Sequence, residues 1–103
     1  MSLSYLYPTK QERYETLLAL QKEGKISDLR KRVKYVLIPT QRDENGKVAE
    51  HEVAYYADFV YFDNEEQKTV VEDAKRNHPW DYLLKRTLML YVHGIRIREP
   101  RIK

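Results

Sequence analysis

Two aspartates and a lysine carry the spacing most suited to chemistry: Asp58 within Ala57-Asp58-Phe59, and Asp73 and Lys75 within Val70-Val71-Glu72-Asp73-Ala74-Lys75. Both stretches read as strands of one hairpin. The first runs roughly from Glu50 to Asp63 and the second from Thr69 to Lys75, with Asn64-Glu65-Glu66-Gln67 as a polar turn. With that turn, Asp63 pairs with Lys68, and the same register sets Asp58 directly opposite Asp73. Side chains alternate along a strand, so Tyr56, Asp58, Val60 and Phe62 share one face, and Val71, Asp73 and Lys75 share a face of the partner strand. Directly opposed Cβ atoms lie roughly 4.5–5.5 Å apart, and like charges so placed repel. A divalent cation resolves the repulsion, because hard carboxylate oxygens at that separation suit Mg²⁺ or Mn²⁺. Lys75 would then add a cation beside the metal.

A plainer reading puts both aspartates on a solvated face with Lys75 as their ion-pair partner. Against it, Tyr55, Ala57, Phe59 and Tyr61 on one face and Val60, Phe62 and Val71 on the other are apolar. The hairpin is therefore expected to be covered on both sides, where charges are rarely left without a partner or a metal. A register slipped by two residues would set Val71 opposite Asp58 and dissolve the pair.

The elements that must position these residues lie on either side of the hairpin. Thr9-Lys10-Gln11-Glu12 fits a capping box, Tyr14, Leu17, Leu18 and Gln21 follow at helical spacing, and Gly24 suits the residue after a helix end. A first helix is expected from about Lys10 to Glu23, after a short apolar lead of Tyr5, Leu6 and Tyr7. Ile26 to Arg32 reads as a connector, Val33 to Ile38 as a strand stopped by Pro39, and Asn45-Gly46 as a turn leading into the hairpin. Beyond Lys75, Pro79 suits a first helical position, with His78 or Asn77 as cap. Trp80, Leu83, Leu84, Thr87, Leu88, Tyr91 and Val92 then repeat at helical spacing up to Gly94, which makes them, Trp80 included, the expected core face of a second helix. Ile95-Arg96-Ile97-Arg98 alternates as a last short strand. The expected class is α/β, an αβββαβ core with a small mixed sheet flanked by helices.

Composition bounds the remaining choices. The chain has 103 residues, 42% hydrophobic and 34% charged, which suits one small domain over residues 1–103 with a modest core. The absence of cysteine excludes disulfides and thiolate metal sites. No apolar run approaches the roughly 18 residues of a membrane span, and Met1-Ser2-Leu3-Ser4 is not signal-like, so no membrane partner and a cytoplasmic location are expected. Net charge is +3, and its distribution says more than its sum. Lys25, Arg30, Lys31, Arg32 and Lys34 form a basic run, and Arg96, Arg98, Arg101 and Lys103 a basic tail. Such runs are either solvated faces or phosphate-binding surfaces. Lys85 and Arg86 divide the same way, since Asp81 stands one turn before Lys85 as an intrahelical partner. His51, His78 and His93 have no metal-ligand spacing and read as structural or surface residues.

That order of elements, with an acid on the second strand and acid-x-lysine on the third, resembles the core of the PD-(D/E)XK (restriction-endonuclease-like) nucleases. Thr9-Lys10-Gln11-Glu12-Arg13-Tyr14-Glu15, Gly24-Lys25-Ile26-Ser27-Asp28-Leu29, Ala57-Asp58-Phe59-Val60-Tyr61, Val70 to Lys75 and Tyr82-Leu83-Leu84-Lys85-Arg86 also occur in order. Together, over roughly Thr9 to Glu99, they resemble a small phage-encoded family known as domain of unknown function 1064, itself similar to phage Holliday-junction resolvases. The resemblance implies a metal-dependent DNA endonuclease with Mg²⁺ or Mn²⁺ as cofactor. It implies Asp58 and Asp73 as metal ligands, the Ala74 carbonyl as a third oxygen, and Glu12 completing the metal shell. Glu12 also reads as the capping-box glutamate, with Glu15 able to serve instead. Lys75 would orient the attacking water, and Arg30, Lys31, Arg32, Lys85, Arg86, Arg96 and Arg98 would bind DNA. A homodimer is expected because cutting two strands needs two sites, although no seam is visible in the sequence. The rival expectation is a non-catalytic nucleic-acid-binding module from a truncated or decayed nuclease gene, favoured by a chain that starts almost at the first helix.

Overall fold

A computed structural model describes residues 8–75 and 78–100. The lead Tyr5-Leu6-Tyr7, the alternative cap Asn77 and the tail residues Arg101 and Lys103 lie outside the described residues. Helix α1 spans Lys10–Lys22. Its capping box forms as expected: Glu12 N–H donates to Thr9 Oγ1 at 3.0 Å and Thr9 N–H to Glu12 Oε1 at 2.8 Å. Gly24, at φ +79°, takes the left-handed conformation that ends the helix.

Strand β1 is Ile26–Ile38, twice the length expected. The supposed connector over residues 26–32 pairs with the chain's longest apolar strand, and those ladder bonds outweigh the low strand propensity of its charges. The sheet order explains why charge is tolerated there. With β4 (Val53–Asp63) and β5 (Lys68–Glu72), β1 forms an antiparallel sheet ordered β1-β4-β5, so β1 is an edge strand, where Lys and Arg discourage further pairing. Asp28 and Arg32 sit at φ +54° and +51°, irregularities that regular strands do not need. Between β1 and β4, short strands β2 (Gln41–Arg42) and β3 (Val48–Glu50) form a ribbon over the Asn45-Gly46 turn. The expected continuous strand from Glu50 is therefore broken at His51-Glu52.

The hairpin register is the one read from the sequence: Asp63 opposes Lys68 and Phe59 opposes Glu72. Strict alternation fails at one point. Tyr55, Ala57 and Val60 belong to the apolar cluster that includes Tyr82 and Met89 of the second helix, whereas Phe59 and Tyr61 join Leu17 of α1. The strand thus changes phase around Asp58, beside the left-handed Arg32 that falls between the pairs Lys31–Phe59 and Val33–Ala57.

That second helix, α2, spans Tyr82–His93 and ends at Gly94, φ +68°. It starts later than Pro79, and it presents Tyr82 and Met89 to the core; of the expected stripe Leu88 packs beside them, whereas Leu83, Leu84, Thr87, Tyr91 and Val92 are exposed. Trp80 is 93% exposed, so its assignment to the core is corrected. The reason is that α2 is apolar on both sides, and periodicity alone cannot choose which side meets the sheet. The last strand shrinks to a single parallel bridge, Glu72 to Arg98. The class is α/β, with two helices on a small sheet among the described residues. No helix among the described residues is long and apolar enough to cross a membrane.

Candidate functional site

Strand β5 ends at Glu72, and the chain then turns past Asp58. Asp73 N–H donates to the Arg98 carbonyl at 3.0 Å, and Ala74 N–H to Asp58 Oδ2 at 2.8 Å. These backbone bonds draw Asp58 and Asp73 together one residue beyond the last ladder pair, as the register anticipated. Both aspartates are buried. Lys75 Nζ spans them, 3.4 Å from both Asp58 oxygens and 3.3 Å from Asp73 Oδ2. The like charges are thus relieved by an ammonium from the same turn.

Three further residues hold the pair, none of them assigned to it from the sequence. Lys10, at the start of α1, reaches Asp58 Oδ1 at 3.1 Å. Tyr55 donates its hydroxyl to Asp73 Oδ2 at 2.7 Å. His78 Nε2 lies 3.1 Å from Asp73 Oδ1, with its ring stacked on Tyr82 at 3.8 Å between centroids. Burial first, and then the bond to Asp73, hold the Tyr55 hydroxyl protonated well above the ordinary tyrosine range. A compositional signal for these tyrosines does exist. The chain has nine Tyr and two Phe, and a buried ring that keeps its hydroxyl is usually using it. Tyr55, Tyr61 and Tyr82 each donate to a carboxylate, on Asp73, Glu72 and Glu99.

The pair opens into a cleft of about 360 Å³. Asp58, Asp73 and Asp81 line it, opposed by five cations: Lys10, Lys31, Arg32, Lys75 and Lys85. Lys31 lies 4.2 Å over the ring of Tyr14, and Arg32 4.6 Å over the ring of Tyr56, so aromatic faces position both. Lys85 makes the intrahelical pair with Asp81 at 3.4 Å while also lining the cleft.

The other candidate residues lie elsewhere. Glu12 is exposed, bonds to Thr9 and is not among the residues lining the cleft; Lys10 enters there instead. Arg30 pairs with Asp28 at 3.5 Å, Arg98 with Glu66 at 3.6 Å and Arg86 with Glu99 at 3.1 Å. Arg86 and Arg96 line a separate depression beside Glu99. Glu72 faces away from the aspartates, as expected, and is wholly buried against Arg13 and Tyr61. His93 is structural, 2.8 Å from the Val36 carbonyl, and His51 is exposed.

The donor chemistry at the aspartates suits a hard divalent cation. Among the described residues no three His, Asp or Glu side chains gather closely enough to hold a metal alone. Mg²⁺, however, is commonly held by one or two carboxylates together with waters and a substrate phosphate. Among the described residues the contacts of Asp58 Oδ1 are lysine ammoniums, Lys10 at 3.1 Å and Lys75 at 3.4 Å. No curated protein and no solved structure matches the chain. The family model described as "Protein of unknown function (DUF1064)" matches residues 5–97, which takes in α1, the sheet, the aspartate turn and α2, so the chain belongs to the DUF1064 family.

Proposed function

We propose that this protein is a metal-dependent DNA endonuclease that hydrolyses phosphodiester bonds and selects branched or junction DNA by shape. The observation that carries the reading is the convergence of Asp58, Asp73 and Lys75 at a cleft whose other walls are mainly basic. The order α1, β1, β4, β5, α2 and the Arg98 bridge, with Asp58 on the second core strand and Asp73-Ala74-Lys75 after the third, supports a likeness to the PD-(D/E)XK nucleases and to phage Holliday-junction resolvases.

Asp58 and Asp73 would hold Mg²⁺ or Mn²⁺. When bound, such an ion makes a nucleophile available from water at neutral pH and polarises a phosphoryl oxygen. Lys75 places its Nζ at the cleft, beside both aspartates, where it would offset the negative charge that develops on the phosphoryl oxygens. Tyr55 and His78 fix the rotamer of Asp73. Lys31, Arg32 and Lys85 neutralise flanking phosphates, so DNA affinity falls as salt rises, with a logarithmic slope of about one for each phosphate neutralised.

The rival reading, a non-catalytic nucleic-acid-binding module, draws on one observation: Lys75 already balances both aspartates. Incubating the chain with linear and four-way-junction DNA, with Mg²⁺, Mn²⁺ or a chelator, separates the two. Metal-dependent cutting of the junction, abolished by Asp73→Asn, is the expected result. Salt-sensitive binding without cutting in either metal leaves the binding module, and absence of binding at low salt removes both.

A further inference from the structure

The outer side of α2 is as apolar as its inner side. Trp80 is 93% exposed, Tyr91 86%, Leu83 61% and Leu84 60%, and Leu90 is exposed beside them. At 100° per residue, Leu84, Thr87 and Tyr91 run down the middle of this side, directly opposite the core-facing Tyr82 and Met89. A helix that is apolar all round is normally covered all round. The two aromatic rings alone offer on the order of 400 Å², and with the leucines the patch reaches roughly 700 Å², more than the few hundred Å² a monomer usually exposes. That area approaches the ~800 Å² each partner contributes to a stable complex.

We infer that this face is the seam of a homodimer in which two α2 helices pack antiparallel about a twofold axis. The stripe is self-complementary in the way such an axis requires. An axis passing between residues 85 and 86 brings Leu84 against Thr87 of the partner subunit, and sets Trp80, just before the helix, toward Tyr91 of the partner subunit. The charges nearest the axis do not oppose the contact, because each is held by its own acid. Lys85 pairs with Asp81 and Arg86 with Glu99. Among the described residues no charged side chain lies on the line of Leu84, Thr87 and Tyr91 itself, so the patch offers nothing to a charged partner and fits its own copy. Since Tyr82 and Lys85 line the cleft from the adjacent side of α2, such a dimer fixes the two clefts relative to one another. Dimerisation through α2 is independent of the nuclease reading.

Sedimentation equilibrium of the full chain tests it without any activity assay. The parent is expected to be a dimer, and Leu84→Glu and Tyr91→Glu each a monomer with an unchanged far-ultraviolet circular dichroism spectrum. A monomeric parent at the highest soluble concentration overturns the inference, as does a dimer that survives both substitutions. Because the chain has no cysteine, the register is tested separately, and without relying on a disruptive charge. An equimolar mixture of Leu84→Cys and Thr87→Cys chains should form a disulfide-linked dimer on mild oxidation in greater yield than either chain alone. Equal yields from each chain alone, or no cross-link, overturn the antiparallel arrangement.

Discussion

Glu72 and Asp73 are consecutive acids, both fully buried, and they face opposite clusters with opposite designs. Glu72 is closed. Arg13 of α1 meets it with two parallel bonds, Nε to Oε1 at 2.8 Å and Nη2 to Oε2 at 2.6 Å, and Tyr61 donates a third. The guanidinium is itself mostly buried, and the pair ties α1 to the sheet. Asp73 is open. Its charge is shared with Asp58 and balanced by ammoniums on long stems, Lys75 and Lys10, that are one-third and one-half exposed at a cleft. A planar fork buried against one carboxylate is a fastening. Two carboxylates held by solvent-reachable lysines are a looser arrangement, the one the proposed metal site would require.

The largest effect expected from this contrast is on the closed side. Arg13→Ala leaves Glu72 buried without its cation and should cost about 3–5 kcal/mol in a denaturant melt. A loss below ~1 kcal/mol, the level of a surface pair, would erase the distinction between the two acids.

On the open side the same kind of change should leave the fold nearly untouched. Asp73→Asn keeps an oxygen for the Tyr55 hydroxyl and removes the repulsion from Asp58, so thermal unfolding should stay within about 1 kcal/mol of the parent. On the proposed reading Mg²⁺ or Mn²⁺ binds only the folded chain and raises its melting temperature, and in Asp73→Asn both that rise and cleavage should be absent. Lys75→Ala should keep the metal-induced rise while cleavage drops about 10²–10³-fold. Should both variants melt far below the parent, with metal leaving the parent unmoved, the open side is a second fastening.

A smaller effect links the two sides through their tyrosines. Burial first, and the carboxylate bond second, raise the hydroxyl pKa of both Tyr55 and Tyr61 well above the ordinary 10.0. The folded protein therefore holds protons that the unfolded chain releases. Stability is complete below about pH 10 and falls above it, by at most about 1.4 kcal/mol per pH unit for each tyrosine. Alkaline melts of Tyr55→Phe and Tyr61→Phe should each show a shallower decline than the parent. Equal slopes would mean that neither hydroxyl is held as described. The smallest expected effect is at Lys10, whose half-exposed ammonium reaches Asp58 and would compete there with the proposed metal. Lys10→Ala should enlarge the metal-induced rise in melting temperature, and a smaller rise would show that Lys10 supports the site instead of guarding it.

Local sequence was sufficient wherever one short-range rule decided the outcome. The Thr9–Glu12 capping box, the turn over residues 64–67 and the helix end at Gly94 follow from the chemistry of a few adjacent residues. The opposition of Asp58 and Asp73 follows from that turn, because a hairpin's loop length fixes its register. Tertiary structure decided what more than one rule left open. The basic stretch over residues 26–32 is a strand because it lies at the sheet edge, where charge is compatible with pairing. The phase change at Asp58 arises beside a left-handed Arg32 that no local pattern announces. The face of α2 that meets the sheet was undecidable from periodicity, since both faces are apolar and only the fit of Tyr82 and Met89 against β4 and the bridge separates them. Lys10 reaches Asp58 from 48 residues away in the chain, and Tyr55 and His78 reach Asp73 from 18 and 5 residues away, contacts that no spacing rule in the sequence announces.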